Sequence, residues 1–542
     1  MSAAWEHHEK RIAGNQWLIA AAVMISALTA ILDTTIVNVS IPTIQAAFGA
    51  DIDQITWVIT GFLISSVVVV PMTGWLSSLI GVKRYYMISQ VVFVAASMLC
   101  GLAWNLPSLV FFRILQGIGG GALLPVSLSI MLEAFPAEQT AQATAIFGLG
   151  TILGPIIGPT LGGWLTENLS WRWIFYVNLP IVAVGLFMTW IAIKVPQGRE
   201  KTQRQPIDFW GLSFVTVSLA TLQVLLQNGQ REDWFSSWYI TAMAVVSLAA
   251  GVLFVWWELR VPHPFINLRI FKDRNFTAGV LLGVSVGAVL FGSIFIIPIF
   301  CAEILHYNAL DIGLMLLPAA LAAVPMFPIA ARLVQKVDPR VLCFLGFVGI
   351  TLSNWLNSHI DAETSRGTLI LYQAIRSVCL PLVFVPLSVI GLQFLPPRQK
   401  PDASSLSNLT RTLAGSLAVA ALGSFIVSRT QFHLARYAEY VTQYGQQVAQ
   451  RIAQYQSFFE SRAGSDPTLA HQQALAAIHN VMQQQAAIAS FDDTFWVLMW
   501  ASLAATLVVF TARSTAASQR KLDRQMRSAD ATRVGRPAAI LE

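Results

Sequence analysis

Charged residues are scarce in this sequence. Only 11% of its 542 residues are Asp, Glu, Lys or Arg, whereas 55% are hydrophobic. An ordinary soluble domain carries about 25% charged residues. The composition therefore excludes a typical soluble protein and predicts an all-α polytopic membrane protein.

Groups that support enzyme chemistry are also few. The four cysteines, Cys100, Cys301, Cys343 and Cys379, lie in or beside apolar runs, without paired-thiol or metal-ligand spacing. The sequence has no phosphate-binding glycine loop followed by lysine, no metalloprotease helix and no catalytic triad. These absences argue against an ATP-driven pump and against an enzyme, and we expect neither a metal nor a cofactor.

Apolar runs near the length of a membrane-spanning helix, about 20 residues, recur along the whole chain. We predict fourteen spans. They cover approximately 16–45, 54–76, 85–103, 107–132, 140–165, 172–194, 208–227, 237–257, 276–301, 311–334, 340–358, 367–394, 403–428 and 491–513.

Basic residues indicate how these spans are oriented. Cytoplasmic loops are enriched in Lys and Arg, and one side of the predicted topology holds most of the 34 basic residues, with large groups at 194–204 and 513–536. The short loops on the other side carry Arg172, Arg231 and Arg366. Both termini are therefore predicted to be cytoplasmic, and the net charge of +6 requires no nucleic-acid partner.

Two polar stretches divide the spans into groups of six, two and six. Short similar segments, 124–128 and 385–389, each follow an arginine, Arg113 or Arg376, which favours two related halves. The predicted regions are a cytoplasmic N-terminus (1–15), an N-terminal six-helix bundle (16–194), a linker with two extra transmembrane helices (195–275), a C-terminal six-helix bundle (276–513) that includes a periplasmic helical loop (429–490), and a cytoplasmic tail (514–542).

The glutamine-rich loop is the one large hydrophilic insertion. Apolar residues recur in it at helical spacing, and breakers cluster at 464–467, so we predict two helices that meet there. The loop is interpreted either as a self-packed hairpin or as a docking surface for an external partner.

Ionisable residues inside membrane spans are costly and usually functional. Asp33 lies within the first span and is a candidate proton carrier, although it could instead only accept hydrogen bonds from neighbouring helices. Arg113 lies in the fourth span and requires a carboxylate, carbonyl groups or water nearby. Arg376, in the C-terminal half, is predicted either to snorkel or to shape the cavity.

Glycines recur at every fourth position of the fifth span, and two prolines lie between them. Small residues four apart form a groove that a neighbouring helix can approach closely. This pattern favours helices that slide or rock, although it is also compatible with a static packing face. The residues concerned are Gly150, Gly154, Pro155, Gly158, Pro159 and Gly162.

Four further residues are weaker candidates for the cavity or for coupling. Asn38 and Gln116 lie near the two ionisable residues of the first half. Trp57 could line an apolar cavity or face lipid. Glu303, just beyond the ninth span, could equally be an ordinary interfacial residue.

These motifs together resemble the major facilitator superfamily and, within it, the fourteen-helix drug:proton antiporters of the EmrB/QacA type; residues 233–237, 271–277 and 403–416 resemble the EmrB branch in particular. Residues 32–42 resemble the first-helix motif of that family, 113–121 its fourth-helix arginine motif and 148–163 its antiporter motif. By this resemblance, Asp33 matches the acidic residue of the first helix and Arg113 the coupling arginine.

One segment departs from the family pattern. Between the second and third spans, Gly74, Gly81, Lys83 and Arg84 match the gating motif, but Ser78 stands where the family has an aspartate. We therefore expect a charge latch between the halves that is weaker or differently built.

The resemblance implies a major facilitator fold of two six-helix bundles and alternating access powered by the proton motive force. It also implies an EmrA-type periplasmic adaptor, a TolC-type outer-membrane channel and the inner membrane of a Gram-negative bacterium. The sequence thus predicts proton-coupled efflux of hydrophobic or amphipathic drugs. A dedicated exporter of a fatty acid, siderophore or metabolite is the alternative within transport, and a non-transporting membrane sensor is the alternative outside it.

Overall fold

The computed structural model describes residues 15–136, 139–194, 208–262, 264, 266, 268–392, 400–440, 446–463 and 466–511. Within these ranges the chain is almost entirely helical, as predicted. The helices of the first half and of the following pair are α1 (Gln16–Phe48), α2 (Trp57–Ile80), α3 (Val82–Gly101), α4 (Leu106–Ala134), α5 (Thr140–Asn168), α6 (Asn178–Ala192), α7 (Phe209–Asn228) and α8 (Trp238–Arg260). Those of the second half are α9 (Arg274–Glu303), α10 (Ala309–Ala323), α11 (Met326–Lys336), α12 (Pro339–Asn357), α13 (Arg366–Leu392), α14 (Lys400–Tyr440), α15 (Gln446–Ala463) and α16 (Pro467–Val508).

Thirteen segments of the described chain are long and apolar enough to cross a membrane. The prediction of a polytopic helical membrane protein is therefore confirmed. The predicted third span corresponds to α3, a helix of 20 residues that is not among the thirteen. Lys83, Arg84 and Gln90 lower its hydropathy. The exact count of fourteen and the cytoplasmic location of both termini stay predictions.

Two predicted spans are interrupted. The tenth consists of α10 and α11, which are separated by a turn at Val324 and Pro325, because Pro325 lacks the N–H that would continue the helix. The sixth begins with a single helical turn, Trp173–Tyr176, and α6 starts afresh at Asn178. The second interruption affects the site described below, because it places Asn178 at the first position of α6.

The predicted periplasmic loop is continuous with the membrane helices on either side. α14 has 41 residues and α16 has 42, so both extend well beyond their predicted spans. The shorter α15 ends at Ala463 and packs against α16, which begins at Pro467. The loop is thus an extension of the helical bundle. The sequence analysis instead predicted a boundary between the span and the loop at residue 429.

The two halves pack against each other through a limited set of helices. α5 contacts α10, α11 and α13, while α14 contacts α2 and α4. The extra helices α7 and α8 pack against each other, and α7 also lies against α2 and α14. Each half therefore contacts the other half through only a few of its described helices.

Among the described residues, apolar side chains of the two halves pack together on the predicted cytoplasmic side. One cluster there joins Phe147 of α5 to Phe327 of α11 and Phe384 of α13. On the opposite side, each half has its own cluster, around Phe175 in the first half and Phe491 in the second. Apolar side chains therefore hold the two halves in contact on the predicted cytoplasmic side.

A buried polar network around Asp33

The first half encloses a network of polar side chains. Asp33 lies in the middle of α1, and Arg113 and Gln116 lie one turn apart on α4. Asp33 and Gln116 are completely buried, and Arg113 is 1% exposed. The structure thus brings the two ionisable residues predicted in the first half into one site.

Asp33 and Arg113 form a direct ion pair. Arg113 Nη1 donates to Asp33 Oδ2 at 2.6 Å, and Arg113 Nε donates to the Val58 carbonyl oxygen at 3.1 Å. The sequence predicted only that Arg113 requires a carboxylate, carbonyl groups or water nearby. Breaking a buried ion pair by removing one partner typically costs about 3 to 5 kcal/mol, so the pair ties α1 firmly to α4.

The second carboxylate oxygen of Asp33 accepts from two amides. Gln116 Nε2 lies 2.9 Å and Asn178 Nδ2 lies 2.8 Å from Asp33 Oδ1. The Gln116 amide oxygen in turn accepts from Arg113 Nη1 at 2.7 Å. All three groups that surround Asp33 are N–H donors, an arrangement that suits the ionised carboxylate.

Ser97 of α3 completes the network. Its hydroxyl accepts from Gln116 Nε2 at 3.1 Å and from Asn178 Nδ2 at 3.0 Å, and it donates to the Phe175 carbonyl oxygen at 2.9 Å. The side chains of Ser97 and Asn178 are completely buried. The Asn178 amide oxygen has no hydrogen-bond partner among the described residues.

Sequence reasoning missed Ser97 and Asn178. Neither residue is ionisable, and neither belongs to a recognised charged motif. The available signal was the short segment before α6, where the Trp173–Tyr176 turn delays the start of the helix to Asn178.

Aromatic rings enclose the arginine of the network. The Arg113 guanidinium carbon lies 4.3 Å from the centre of the Phe62 ring and 5.7 Å from that of the Phe175 ring. Rings at such distances attract a desolvated cation and exclude water. Phe62 is 3% exposed, and its ring covers one side of the Arg113 guanidinium group.

The network can respond to a proton. With Asp33 ionised, its charge and that of Arg113 cancel within the buried site. Protonation of Asp33 would leave Arg113 without a counter-charge and would turn one acceptor oxygen into a donor. The present hydrogen bonds therefore fit only one of the two protonation states.

The glycines of α5 lie directly against α1. A Cβ atom added to Gly150, Gly154 or Gly158 would overlap Met24, Ile31 or Thr35, respectively. At Gly162 it would lie 3.1 Å from the Ile36 carbonyl oxygen. Pro155 and Pro159 lie within α5, which continues through both prolines. These residues bring α5 against the helix that carries Asp33.

The predicted gating residues lie around the junction of α2 and α3. Gly81 connects the two helices with a φ of +87°, a backbone conformation that favours glycine. Lys83 Nζ donates to the carbonyl oxygens of Trp190 at 2.8 Å and Ile193 at 2.6 Å. Lys83 thus secures the end of α6, which belongs to its own half. Gly74 is half-buried in α2, Arg84 is exposed, and the Ser78 side chain lies outside the described part of the structure.

The remaining candidates do not join the Asp33 network. Asn38 is exposed on α1, Trp57 is 38% exposed at the start of α2, and Glu303 is exposed at the end of α9. Arg376 is half-buried in α13, in the second half.

Comparisons with known proteins are consistent with this architecture. The sequence profile of the Major Facilitator Superfamily matches residues 23–419. The chain is 33% identical over 492 residues to the multidrug export protein EmrB of Escherichia coli K12, covering 90% of this chain and 94% of that protein. It is also 33% identical over 466 residues to the fatty acid resistance protein FarB of Neisseria gonorrhoeae, covering 86% and 90%.

A solved structure supports the fold. The major facilitator proton:xylose symporter XylE superposes with a TM-score of 0.59 at 12% identity, covering 92% of this chain and 96% of XylE. At this identity the likeness concerns the fold alone.

Proposed function

The chain belongs to the major facilitator superfamily, and from this premise we propose that it exports hydrophobic or amphipathic compounds across the inner membrane of a Gram-negative bacterium in exchange for protons. The proposal rests on the buried ion pair between Asp33 and Arg113, with its 2.6 Å contact. The relatives named as multidrug export proteins support the direction of transport.

The coupling mechanism follows from the two states of the network. Asp33 takes up a proton when the external side opens, which releases Arg113 from its ion pair. After the halves rearrange, Asp33 discharges the proton towards the cytoplasm and the ion pair forms again. The α5 groove against α1 supports this sequence, because it connects the helix of Asp33 to the interface between the halves.

A dedicated exporter is the second candidate. The similarity to a protein named for fatty acid resistance favours a single amphipathic cargo, with drug efflux as a side activity. A resistance profile over many unrelated compounds distinguishes the two, because a dedicated exporter protects against one chemical class only. A non-transporting sensor would have no need for the complete Asp33 network.

The coupling role of Asp33 can be tested in inverted membrane vesicles energised by respiration. Adding a lipophilic dye to the wild-type protein should release protons from the vesicles. Asp33→Asn should abolish this release while substrate binding is retained.

Asp361→Asn is the matched control, since Asp361 is an exposed carboxylate in the loop between α12 and α13. Its proton release should equal that of the wild type. Unchanged proton release in Asp33→Asn would remove Asp33 from the coupling mechanism.

The extended helices α14, α15 and α16 are the proposed contact for an EmrA-type periplasmic adaptor, which would in turn meet a TolC-type channel. Their length beyond the membrane supports this assignment. Deleting 446–463 should weaken the binding of a co-encoded adaptor to the purified protein without affecting dye binding. Adaptor binding that survives the deletion would place the contact elsewhere.

A further inference from the structure

Two arginines of the second half have no acidic partner among the described residues. Arg376 of α13 makes neither a hydrogen bond nor an ion pair there. Arg411 of α14 donates from Nη2 to Asn408 Oδ1 at 2.7 Å, which leaves its charge uncompensated. Arg113 in the first half differs from both, because Asp33 neutralises it.

Both arginines lie deep in the membrane. At 1.5 Å per residue, Arg376 lies about 15 Å from the external start of the candidate span Arg366–Gly391, and Arg411 lies about 12 Å from the cytoplasmic start of the candidate span Ala403–Glu439. An arginine side chain cannot reach the membrane surface over such a distance. Snorkelling, which the sequence left open for Arg376, therefore does not explain these residues.

The accessible part of Arg376 faces the interior of the protein. α13 packs against α5, α9, α10, α11 and α12, and none of its residues from 372 to 391 is exposed. The half-buried Arg376 side chain therefore lies on a helix that its neighbours enclose.

Arg411 lies where the two halves meet. Its guanidinium carbon is 5.0 Å from the centre of the Phe384 ring, so the side chain reaches from α14 to α13. Phe384 in turn lies beside α5 of the first half, since a Cβ on Gly148 would be 3.1 Å from Phe384 Cδ1. Arg411 and Phe384 thus place a cation next to an apolar wall at this interface.

Uncompensated cations in a membrane interior are costly, and they usually mark a path or a site for a charged partner. An anion that entered between the halves would supply the missing charge. The planar guanidinium group suits carboxylates in particular, because it can donate two parallel hydrogen bonds to them.

We propose that Arg376 and Arg411 bind the anionic head group of the cargo, which is an amphipathic organic anion with a carboxylate or a similar oxyanion at one end. The apolar body of the cargo then packs beside Phe384. This inference rests on the proposed function, because it names the chemical class that the same exporter carries.

Equilibrium binding of three matched probes tests the proposal. The probes are 6-phenylhexanoate, 6-phenylhexan-1-ol and 6-phenylhexylammonium, which share an apolar body and differ in head-group charge. Binding is measured to the full-length protein in lipid nanodiscs, with empty nanodiscs as the background. The wild type should bind the anion more tightly than the alcohol or the ammonium.

Variants of the two arginines then distinguish the contribution of their charge to anion binding from the contribution of the apolar contacts. Arg376→Gln and Arg411→Gln should each weaken binding of the anion by about tenfold, the loss expected for one hydrogen bond to a charged group. Binding of the alcohol should stay unchanged, which also shows that the variants fold. Arg376→Lys and Arg411→Lys should restore part of the anion binding.

Arg429→Gln is the matched control. Arg429 lies on the same helix as Arg411, in the segment beyond the predicted span, where it pairs with Asp493 at 2.6 Å. Its removal should leave the binding of all three probes unchanged.

Equal weakening of all three probes in the glutamine variants, or an anion affinity no higher than that of the alcohol, would overturn the proposal. The assay uses no proton gradient. Selective binding of the anion without substrate-induced proton release would therefore refute the proposed antiport but not the anion site. Substrate-induced proton release without selective binding of the anion would refute the anion site but not the antiport.

Discussion

The carboxylate of Asp33 is held by three N–H groups from three side chains on two helices. Arg113 supplies the opposite charge, and Gln116 and Asn178 supply amides to the other oxygen. Three N–H donors match the acceptor oxygens of a carboxylate that carries no proton. Each donor therefore contributes to the free-energy difference between the two states that coupling uses.

Asn178→Leu tests this contribution. The substitution keeps the number of side-chain heavy atoms but removes an amide that donates to both Asp33 and Ser97. A hydrogen bond to a charged group contributes about 1.5 to 3 kcal/mol, so we expect proton-coupled efflux to slow by about tenfold or more. Efflux of a fluorescent dye from energised cells is the measurement.

Asn38→Leu is the matched control, because Asn38 is an exposed asparagine on α1 outside the network. Its efflux should stay near that of the wild type. If Asn178→Leu transports as fast as Asn38→Leu, the Asn178 amide contributes nothing to coupling.

The residues of the network differ in how far the sequence revealed them. An aspartate and an arginine within apolar runs are rare enough to be recognised directly. Asn178 cannot be recognised in this way, because its role depends on the exact start of α6 and on the rotation of that helix towards α1. A single sequence carries little information on either.

At the scale of elements, α5 and α1 form a close helix contact that is lined by the glycines of α5. The glycine pattern predicted a groove, and the structure identifies the helix that fills it. Asp33 lies on α1, one of the two helices in this contact. A change in the distance between α1 and α5 would therefore alter both their packing and the proposed coupling.

Gly158→Ala should separate these helices. The added methyl group would overlap the Thr35 side chain, and overpacking of this kind costs about 1 to 3 kcal/mol. We expect a lower thermal unfolding midpoint, measured by the loss of the monodisperse size-exclusion peak after heating, together with slower efflux.

Gly283→Ala on α9 is the control. Its nearest neighbour, Leu387 Cδ2, lies 4.0 Å from the position of the new methyl group. The midpoint should stay unchanged there. Equal midpoints for the two variants would show that α1 and α5 can separate at little cost.

For the whole molecule, composition and spacing predicted most of the fold. Scarce charge, long apolar runs and the distribution of Lys and Arg identified a polytopic helical bundle. The break at Pro325 and the continuity of α14 and α16 were missed. Hydropathy does not distinguish Pro325, which interrupts a span, from Pro155 and Pro159, through which α5 continues, and it does not report how far a helix extends beyond its apolar run.

The proposed anionic cargo has a consequence for energetics. Exporting an anion and importing a proton move charge in the same sense, so each exchange carries positive charge inwards. Moving one elementary charge through 100 mV is worth about 2.3 kcal/mol, so an interior-negative potential should accelerate export of the anion.

Proteoliposomes with a potassium gradient and valinomycin provide the measurement. Efflux of 6-phenylhexanoate at a fixed pH gradient should rise as the potential becomes more negative on the cytoplasmic side. A rate that is independent of the potential would contradict net charge movement.

The two halves meet on the predicted cytoplasmic side through a contact that alternating access must break. Thr73 Oγ1 of α2 lies 3.1 Å from Ser405 Oγ of α14. Cargo can enter from the cytoplasm only if such contacts separate. A covalent link at this position should therefore stop transport without disturbing either half.

The pair Thr73→Cys and Ser405→Cys makes this link, in a chain whose four native cysteines are replaced by alanine and which still transports. Oxidation should reduce efflux to background, and dithiothreitol should restore it. The control pair, Ser40→Cys and Thr166→Cys, joins α1 to α5 within the first half, where the hydroxyl oxygens lie 2.8 Å apart. Oxidation of that pair should leave efflux intact. Transport that continues through an oxidised Thr73→Cys and Ser405→Cys pair would mean that the halves need not separate there, and that the cargo follows a path other than the one between them.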